Sequence, residues 1–108
     1  MPRKVRVKYQ LVLQFPASST EDLDQLIEVE GELMKSLGEE HVVDGHDFGS
    51  GEMNLFIHTD DPNTAFEKAR KYLYPQHQQH LIAAYRELKG DKYTVLWPER
   101  YDKKFRVI

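Results

Sequence analysis

The first apolar pattern of the chain is an alternation of apolar with mostly polar residues between positions 5 and 15. Successive side chains of a β-strand point to opposite faces, so the alternation predicts a half-buried strand. Pro16 lacks the amide proton that a strand ladder needs and marks the end of this strand. The apolar positions are Val5, Val7, Tyr9, Leu11, Leu13 and Phe15.

After Pro16 the apolar residues recur at steps of three and four, which is the spacing of one helix face. The segment Ser18-Ser19-Thr20-Glu21 has the composition of a capping box, whose side chains satisfy free amides at a helix start. Gly38 supplies a left-handed residue at the end, so the pattern predicts a helix over about residues 20–37. The apolar positions are Leu23, Leu26, Ile27, Leu33, Met34 and Leu37.

Glu30 interrupts this helical pattern. With about 100° of rotation per residue, it lies at the centre of the apolar sector. Such a carboxylate either keeps its head in water while its stem covers apolar surface, pairs with a buried partner, or serves as a perturbed catalytic group. We expect the first of these outcomes.

A β-hairpin and a second helix follow. Residues 41–47 and 52–59 flank the run Phe48-Gly49-Ser50-Gly51, and strand-forming segments around a glycine-rich run predict a hairpin. Asp61-Pro62 then places a capping residue before a proline at the first helical position. The apolar stripe after it predicts a helix over about residues 62–74.

The last third of the chain predicts a second hairpin. Residues 81–88 have a composition that also allows a helix, but the turn signal Lys89-Gly90-Asp91 and the β-formers of residues 92–97 favour two strands. The tail over residues 99–108 is charged up to its apolar end at residues 105–108. This end either adds an edge strand or stays loose.

The order strand, helix, hairpin, helix, hairpin predicts an α+β fold in one domain over residues 1–108. It is that of a ferredoxin-like split βαβ sandwich (βαββαβ) with an additional C-terminal strand, in which two helices cover one face of an antiparallel sheet. The other face is expected to be open and to favour a homodimer. The sheet residues expected under both helices are Leu11, Leu13, Leu55 and Ile57.

The run DGHDFGSGEMNLFI (residues 44–57), together with YTVLWP (residues 93–98), resembles small stand-alone bacterial proteins of unassigned function. The likeness spans most of the chain. It implies no activity, so the functional hypotheses rest on the residues themselves.

Polar side chains concentrate around the glycines of the first hairpin. This composition favours a ligand-binding loop, although turn geometry alone also explains the glycines. The spacing matches no calcium loop, zinc-protease helix or P-loop, and we expect no metal ion and no cofactor. The predicted ligand-binding residues are His46, Asp47, Ser50, Glu52 and Asn54.

An enzymatic alternative uses the same loop. It assigns His46 as the acid or base, with Asp47 or Glu52 as the carboxylate that orients it. A histidine beside a carboxylate is a common pair for proton transfer. The alternative requires these side chains to lie within hydrogen-bond reach of one another.

Two histidines and the residues of the last predicted strand are further candidates for a functional role. His77 and His80 follow a proline with no carboxylate nearby in the sequence, and we expect them to be exposed to solvent. Tyr93, Val95 and Trp97 alternate in the last strand and are expected on one face, where aromatic rings can stack nucleic-acid bases. The acidic balance of the chain opposes such binding, so we expect no nucleic acid.

Composition limits the class of protein further. The chain has 108 residues, 15 basic and 18 acidic, and a formal net charge of −3. It contains no cysteine, no apolar run long enough to cross a membrane and no apolar run behind its first basic residues, so we expect a cytoplasmic protein. We therefore predict a small binding or regulatory domain that acts through protein–protein contacts or self-association.

Overall fold

The computed structural model describes residues 8–17 and 19–107. The start of the predicted first strand, Val5 to Val7, lies outside the described residues, as does the first residue of the predicted capping box. A short 3-10 turn over Arg70–Tyr72 follows the second helix. The other elements are β1 (Tyr9–Pro16), α1 (Thr20–Ser36), β2 (His41–Gly49), β3 (Glu52–Thr59), α2 (Pro62–Ala69), α3 (Pro75–Gln78), β4 (Ile82–Glu87) and β5 (Thr94–Trp97).

The five strands form one antiparallel sheet in the order β2-β3-β1-β4-β5, so the fold is α+β as predicted. Because β1 and β2 both run antiparallel to β3, they are parallel to each other with β3 between them. In the same way β3 and β4 are parallel with β1 between them. The fifth strand, beside β4, departs from a strict βαββαβ order.

Helix α1 begins and ends where its sequence signals lie. Ser19 Oγ accepts a hydrogen bond from the amide of Asp22 at 3.2 Å, which satisfies one free donor at the helix start. Gly38 has φ +79°, the left-handed conformation that stops a helix. Residues 81–88 contain a strand and not a helix, as the turn signal after them predicts.

The predicted second helix is wrong in its second half. Helix α2 ends at Ala69, and the 3-10 turn carries the chain on to Leu73. Pro75, expected to lie beyond a helix end, begins α3 instead. A proline is well placed in a first helical turn, because no intrahelical bond needs its missing donor there.

The main core lies between the helices and one face of the sheet. Buried side chains of α1 and α2 share one apolar cluster with residues of β1, β3 and β4, so the predicted common face is confirmed. The members from the central strands include all four residues expected there, Leu11, Leu13, Leu55 and Ile57.

The second face of the sheet is covered in part by the C-terminal tail, and the expectation of an open face is wrong. Phe105 is only 7% exposed and shares a cluster with Val12 and Ala84. Its ring lies 4.8 Å from that of Tyr93. The tail does this without adding a strand, because its apolar end packs on the sheet through side chains.

Tyr93, Val95 and Trp97 do not share one face, contrary to the prediction. A register shift pairs Ala83 with Trp97 but Ala84 with Val95. Trp97 therefore lies on the helix side, where the guanidinium of Arg70 stacks 4.6 Å from its ring, while Val95 packs on the second face. Such a bulge re-aims side chains and leaves no sign in an alternating sequence.

Candidate functional site

The first hairpin sends the predicted site residues to different faces of the sheet. Cα partners on neighbouring strands share a face, and His46 pairs with Leu55 whereas Asp47 pairs with Asn54. Leu55 is fully buried in the core under the helices. His46 is therefore on the helix face, while Asp47 and Asn54 are on the second face. The predicted grouping of His46 with Asp47 is not formed.

Glu52 also lies on the second face, two residues before Asn54 in β3. Ser50 is in the turn, where its φ of 56° is followed by 79° at Gly51. Positive φ at both central positions is what a tight two-residue hairpin turn requires. Turn geometry therefore accounts for Ser50 and Gly51 without a ligand.

The carboxylate partner of His46 is Glu30 of α1. His46 Nδ1 donates to this carboxylate at 3.1 Å from Oε1 and 3.0 Å from Oε2. The Glu30 side chain is only 12% exposed. The expectation of a head group in water is thus wrong, because the edge strand β2 brings an imidazole to it. Sequence patterns contain no signal for a contact between residues sixteen positions apart on different elements.

Asn54 is a buried structural residue. It is 1% exposed, and its Oδ1 accepts a hydrogen bond from Gln14 Nε2 at 2.9 Å. The same amide donates to the carbonyl of Arg106 at 3.1 Å, which fastens the tail to the sheet. Both N–H groups of Gln14 are used in this way, so its amide group has only the carbonyl oxygen left for other partners.

A cavity of about 130 Å³ opens beside this amide pair, where β1 ends and β3 and β4 begin. One carboxylate oxygen of Glu52, Oε1, is buried and has no hydrogen-bond partner among the described residues. A buried acceptor without a donor costs about 1–3 kcal/mol. The residues around the cavity are Gln14, Phe15, Pro16, Gly51, Glu52, His80 and Ile82.

His77 is buried, contrary to the expectation of solvent exposure. Its Nε2 donates to Asp22 Oδ1 at 3.1 Å, and its ring is stacked on that of Phe15 with 3° between the planes. Tyr74, three residues earlier, donates its hydroxyl proton to Glu28, and this bond raises the pKa of the tyrosine. These contacts hold α3 and its N-cap against α1. His80 is exposed, as expected.

His41 is a buried histidine at the start of β2. Its Nδ1 lies 2.7 Å from Thr59 Oγ1, and its Nε2 is without a hydrogen-bond partner in the described part of the chain. Burial lowers the pKa of His41, and the positive charge of Lys68 lowers it further. Its imidazole is thus held in the neutral form near neutral pH.

Two features that would indicate a class of site are absent from residues 8–17 and 19–107. No group of three or more histidine and acidic side chains is placed there to hold a metal ion. None of the helices in these ranges is both long and apolar enough to cross a membrane.

The β2 edge of the sheet exposes apolar side chains. Glu30 contacts β2, and Ile27 and Met34 lie three and four residues away on the same side of α1. The apolar stripe of α1 is therefore wider than the part of it that packs on the sheet. Its outer residues, Ile27 and Met34, lie on the side of the helix that contacts β2. We call this the β2 edge surface, and its exposed members are Ile27 (47%), Met34 (61%), Val42 (47%) and Phe48 (37%).

Comparison with known proteins gives no relative. No protein-family model matches the chain, and no curated protein and no solved structure matches it with significance. The resemblance to stand-alone bacterial proteins stays a prediction. Function is therefore argued from the geometry alone.

Proposed function

We propose that this protein is a small cytosolic binding domain that acts through protein–protein contacts, and that its first partner is a second copy of itself bound along the β2 edge surface. The observation that carries the proposal is the concentration of exposed apolar side chains there. Among the described residues, four of the six exposed large apolar side chains belong to this surface. A chain without cysteine fits the reducing cytosol.

The edge strand supports the same contact. β2 is the outermost strand on its side of the sheet and has nine residues, against four in the opposite edge strand β5. The outer edge of such a strand has backbone donors and acceptors that a second strand can pair with. Its side chains on both faces, Val42 and Phe48, are partly exposed.

Symmetry favours a second copy. A two-fold axis beside β2 places the same strand and the same overhanging stripe opposite each other, so apolar surface meets apolar surface. Most carboxylates of α1 lie outside this stripe; Glu28 and Asp22, for example, are bonded towards α3. Glu30, within the stripe, is already paired with His46. The carboxylate at the centre of this stripe is thus already paired within one copy.

Sedimentation of purified protein at micromolar concentration tests the proposal. We expect wild type to sediment as a dimer, and Ile27→Lys and Met34→Lys to sediment as monomers that remain folded, because both positions are exposed. Leu88→Lys is the matched control, since Leu88 is 36% exposed but lies outside the β2 edge surface. A monomeric wild type, or an equal effect of Leu88→Lys, would contradict the proposal.

We further propose that the fold is a ferredoxin-like split βαβ sandwich extended by β5. The two interleaved pairs of parallel strands, each joined through a helix, support it. An experimental structure in which β1 does not lie between β3 and β4 would contradict it.

A small enzyme is the second candidate, and the contact between His46 and Glu30 favours it. A neutral imidazole that donates from Nδ1 to a carboxylate keeps Nε2 as its acceptor, which is the arrangement of an oriented base. The orienting carboxylate is then Glu30, since Asp47 and Glu52 lie on the other face. Equal activity of wild type and His46→Gln on panels of ester and phosphoester substrates would end this candidate.

A further inference from the structure

We propose that the cavity beside Glu52 binds a small aliphatic amine, with the ammonium group on the Glu52 carboxylate and the alkyl stem between apolar walls. The site lies at the end of the sheet where β1 and β3 are joined across Gln14 and Asn54. It does not depend on self-association, because the β2 edge surface is formed by other residues.

Apart from the imidazole of His80, the polar groups described around the cavity are acceptors. Glu52 Oε1 is buried without a donor among the described residues. The amide of Gln14 has already given both N–H groups, to Asn54 and to the carbonyl of Arg106. The carbonyl of Gly51 accepts from the amide of Ala17 at 3.0 Å, so the turn directs an acceptor and not a donor toward β1.

The charged side chains around the cavity also favour a cation over an anion. Glu52 is the one carboxylate that lines the cavity, and the described lining includes no lysine or arginine. An anion would meet the Glu52 carboxylate, and among the described lining residues only the imidazole of His80 can carry a positive charge to offset it. An ammonium group supplies both the positive charge and the N–H donors that Glu52 Oε1 needs.

The apolar walls and the volume of the cavity determine which group can accompany the ammonium. Phe15, Pro16 and Ile82 give apolar surface, which an alkyl chain covers better than a hydrated metal ion does. A volume of about 130 Å³ is well below the roughly 300 to 1,000 Å³ of cavities that take drug-sized ligands, so only a small molecule fits. A short primary amine is therefore the class of ligand that fits.

The test is a titration of the whole ¹⁵N-labelled chain with n-butylammonium chloride, followed by amide chemical shifts. We expect saturable shifts at Gly51, Glu52 and Ile82. n-Butanol and sodium butyrate are probes of the same length without the positive charge, and each should bind at least tenfold more weakly. Absence of saturable shifts, or equal binding of n-butanol, would overturn the proposal without the use of any variant.

Variants locate the ammonium group. Glu52→Gln keeps the shape of the side chain and should weaken n-butylammonium binding at least tenfold. Asp47→Asn is the control, because it removes a carboxylate from the same face of the sheet that does not line the cavity. Wild-type affinity of a folded Glu52→Gln variant would overturn the assignment.

A second experiment distinguishes two sources of the ammonium group, a free amine and a lysine side chain of a bound protein. The probe is a blocked Gly-Lys-Gly peptide, whose only cation is the lysine ammonium. Binding of n-butylammonium without binding of the peptide assigns the cavity to free amines. If only the peptide binds, the proposal of a small-molecule site is overturned.

Discussion

Leu26 and Ile27 are neighbours on α1 with opposite environments, since Leu26 is 1% exposed and Ile27 is 47% exposed. Leu26→Ala should lower the free energy of unfolding by about 2–5 kcal/mol, because it leaves a cavity in the core. Ile27→Ala should change it by only about 0.5 kcal/mol. Urea unfolding measures both. A loss below about 1 kcal/mol for Leu26→Ala would show that this side chain is not part of the core.

His41 gives a prediction for the dependence of stability on pH. Burial lowers the pKa of the folded state below the value near 6.5 of an unperturbed histidine. The unfolded chain then binds the proton more readily, so stability falls as the pH drops below about 6.5 towards the folded pKa. Above that range both states are neutral and this residue makes no pH-dependent contribution. Glu40 and Asp61 oppose the shift but do not reverse it.

Urea unfolding at several pH values between about 5 and 8 measures this dependence. His41→Asn should flatten the fall in stability below about pH 6.5, because asparagine at position 41 does not titrate. His80→Asn, at an exposed position, is the control and should keep the wild-type profile. Identical profiles for wild type and His41→Asn would contradict the prediction.

Single side chains were predictable where their role is local. Ser19 and Gly38 could be assigned from the sequence, because a helix cap depends on residues within one turn. The pairing of Glu30 with His46 could not, since it depends on where β2 lies relative to α1. The position of Glu30 at the centre of the apolar helix face marked it as exceptional, but its partner is evident only from the structure.

Gly31 lies inside α1 and Gly38 lies just after its end, and the two positions should respond in opposite ways to alanine. A Cβ on Gly31 would meet nothing within 4 Å, so Gly31→Ala should stabilise the protein by about 0.5–1 kcal/mol through helix propensity. Gly38→Ala should destabilise it by about 1–2 kcal/mol, because φ there is +79°. Thermal melting of the two variants measures both effects. Equal signs would contradict this account of the helix and its end.

Strand and helix order followed from periodicity, whereas the details of register did not. Alternation predicts which residues share a face only while a strand is regular. The bulges between Val43 and Gly45 and between Ala83 and Ala84 shift that phase by backbone geometry. The first puts His46 and not Asp47 on the helix face, and the second separates Trp97 from Val95. The predicted aromatic face was wrong for this reason, whereas His46 and Asp47 lie apart because neighbouring residues of a strand point to opposite faces.

Across the whole molecule, helices cover one face of the sheet and the chain's own tail covers part of the other. The tail was ambiguous in the sequence, because three apolar residues behind a charged stretch do not reveal where they pack. Because Phe105 covers Val12 and Ala84, the second face no longer requires a second copy of the chain to cover it. The apolar surface that needs a partner is then the one beyond β2.

Phe105→Ala separates these two surfaces. Removing a side chain that is 7% exposed should lower the free energy of unfolding by about 3 kcal/mol, as other buried phenylalanines do. Lys104→Ala, at the exposed position before it, should change stability by about 0.5 kcal/mol or less. The mass in sedimentation should stay that of wild type in both variants, because the proposed contact runs along the edge strand β2 whereas Phe105 packs on β1 and β4. If Phe105→Ala instead changed the mass, the second face and not the β2 edge surface would be the interface between copies.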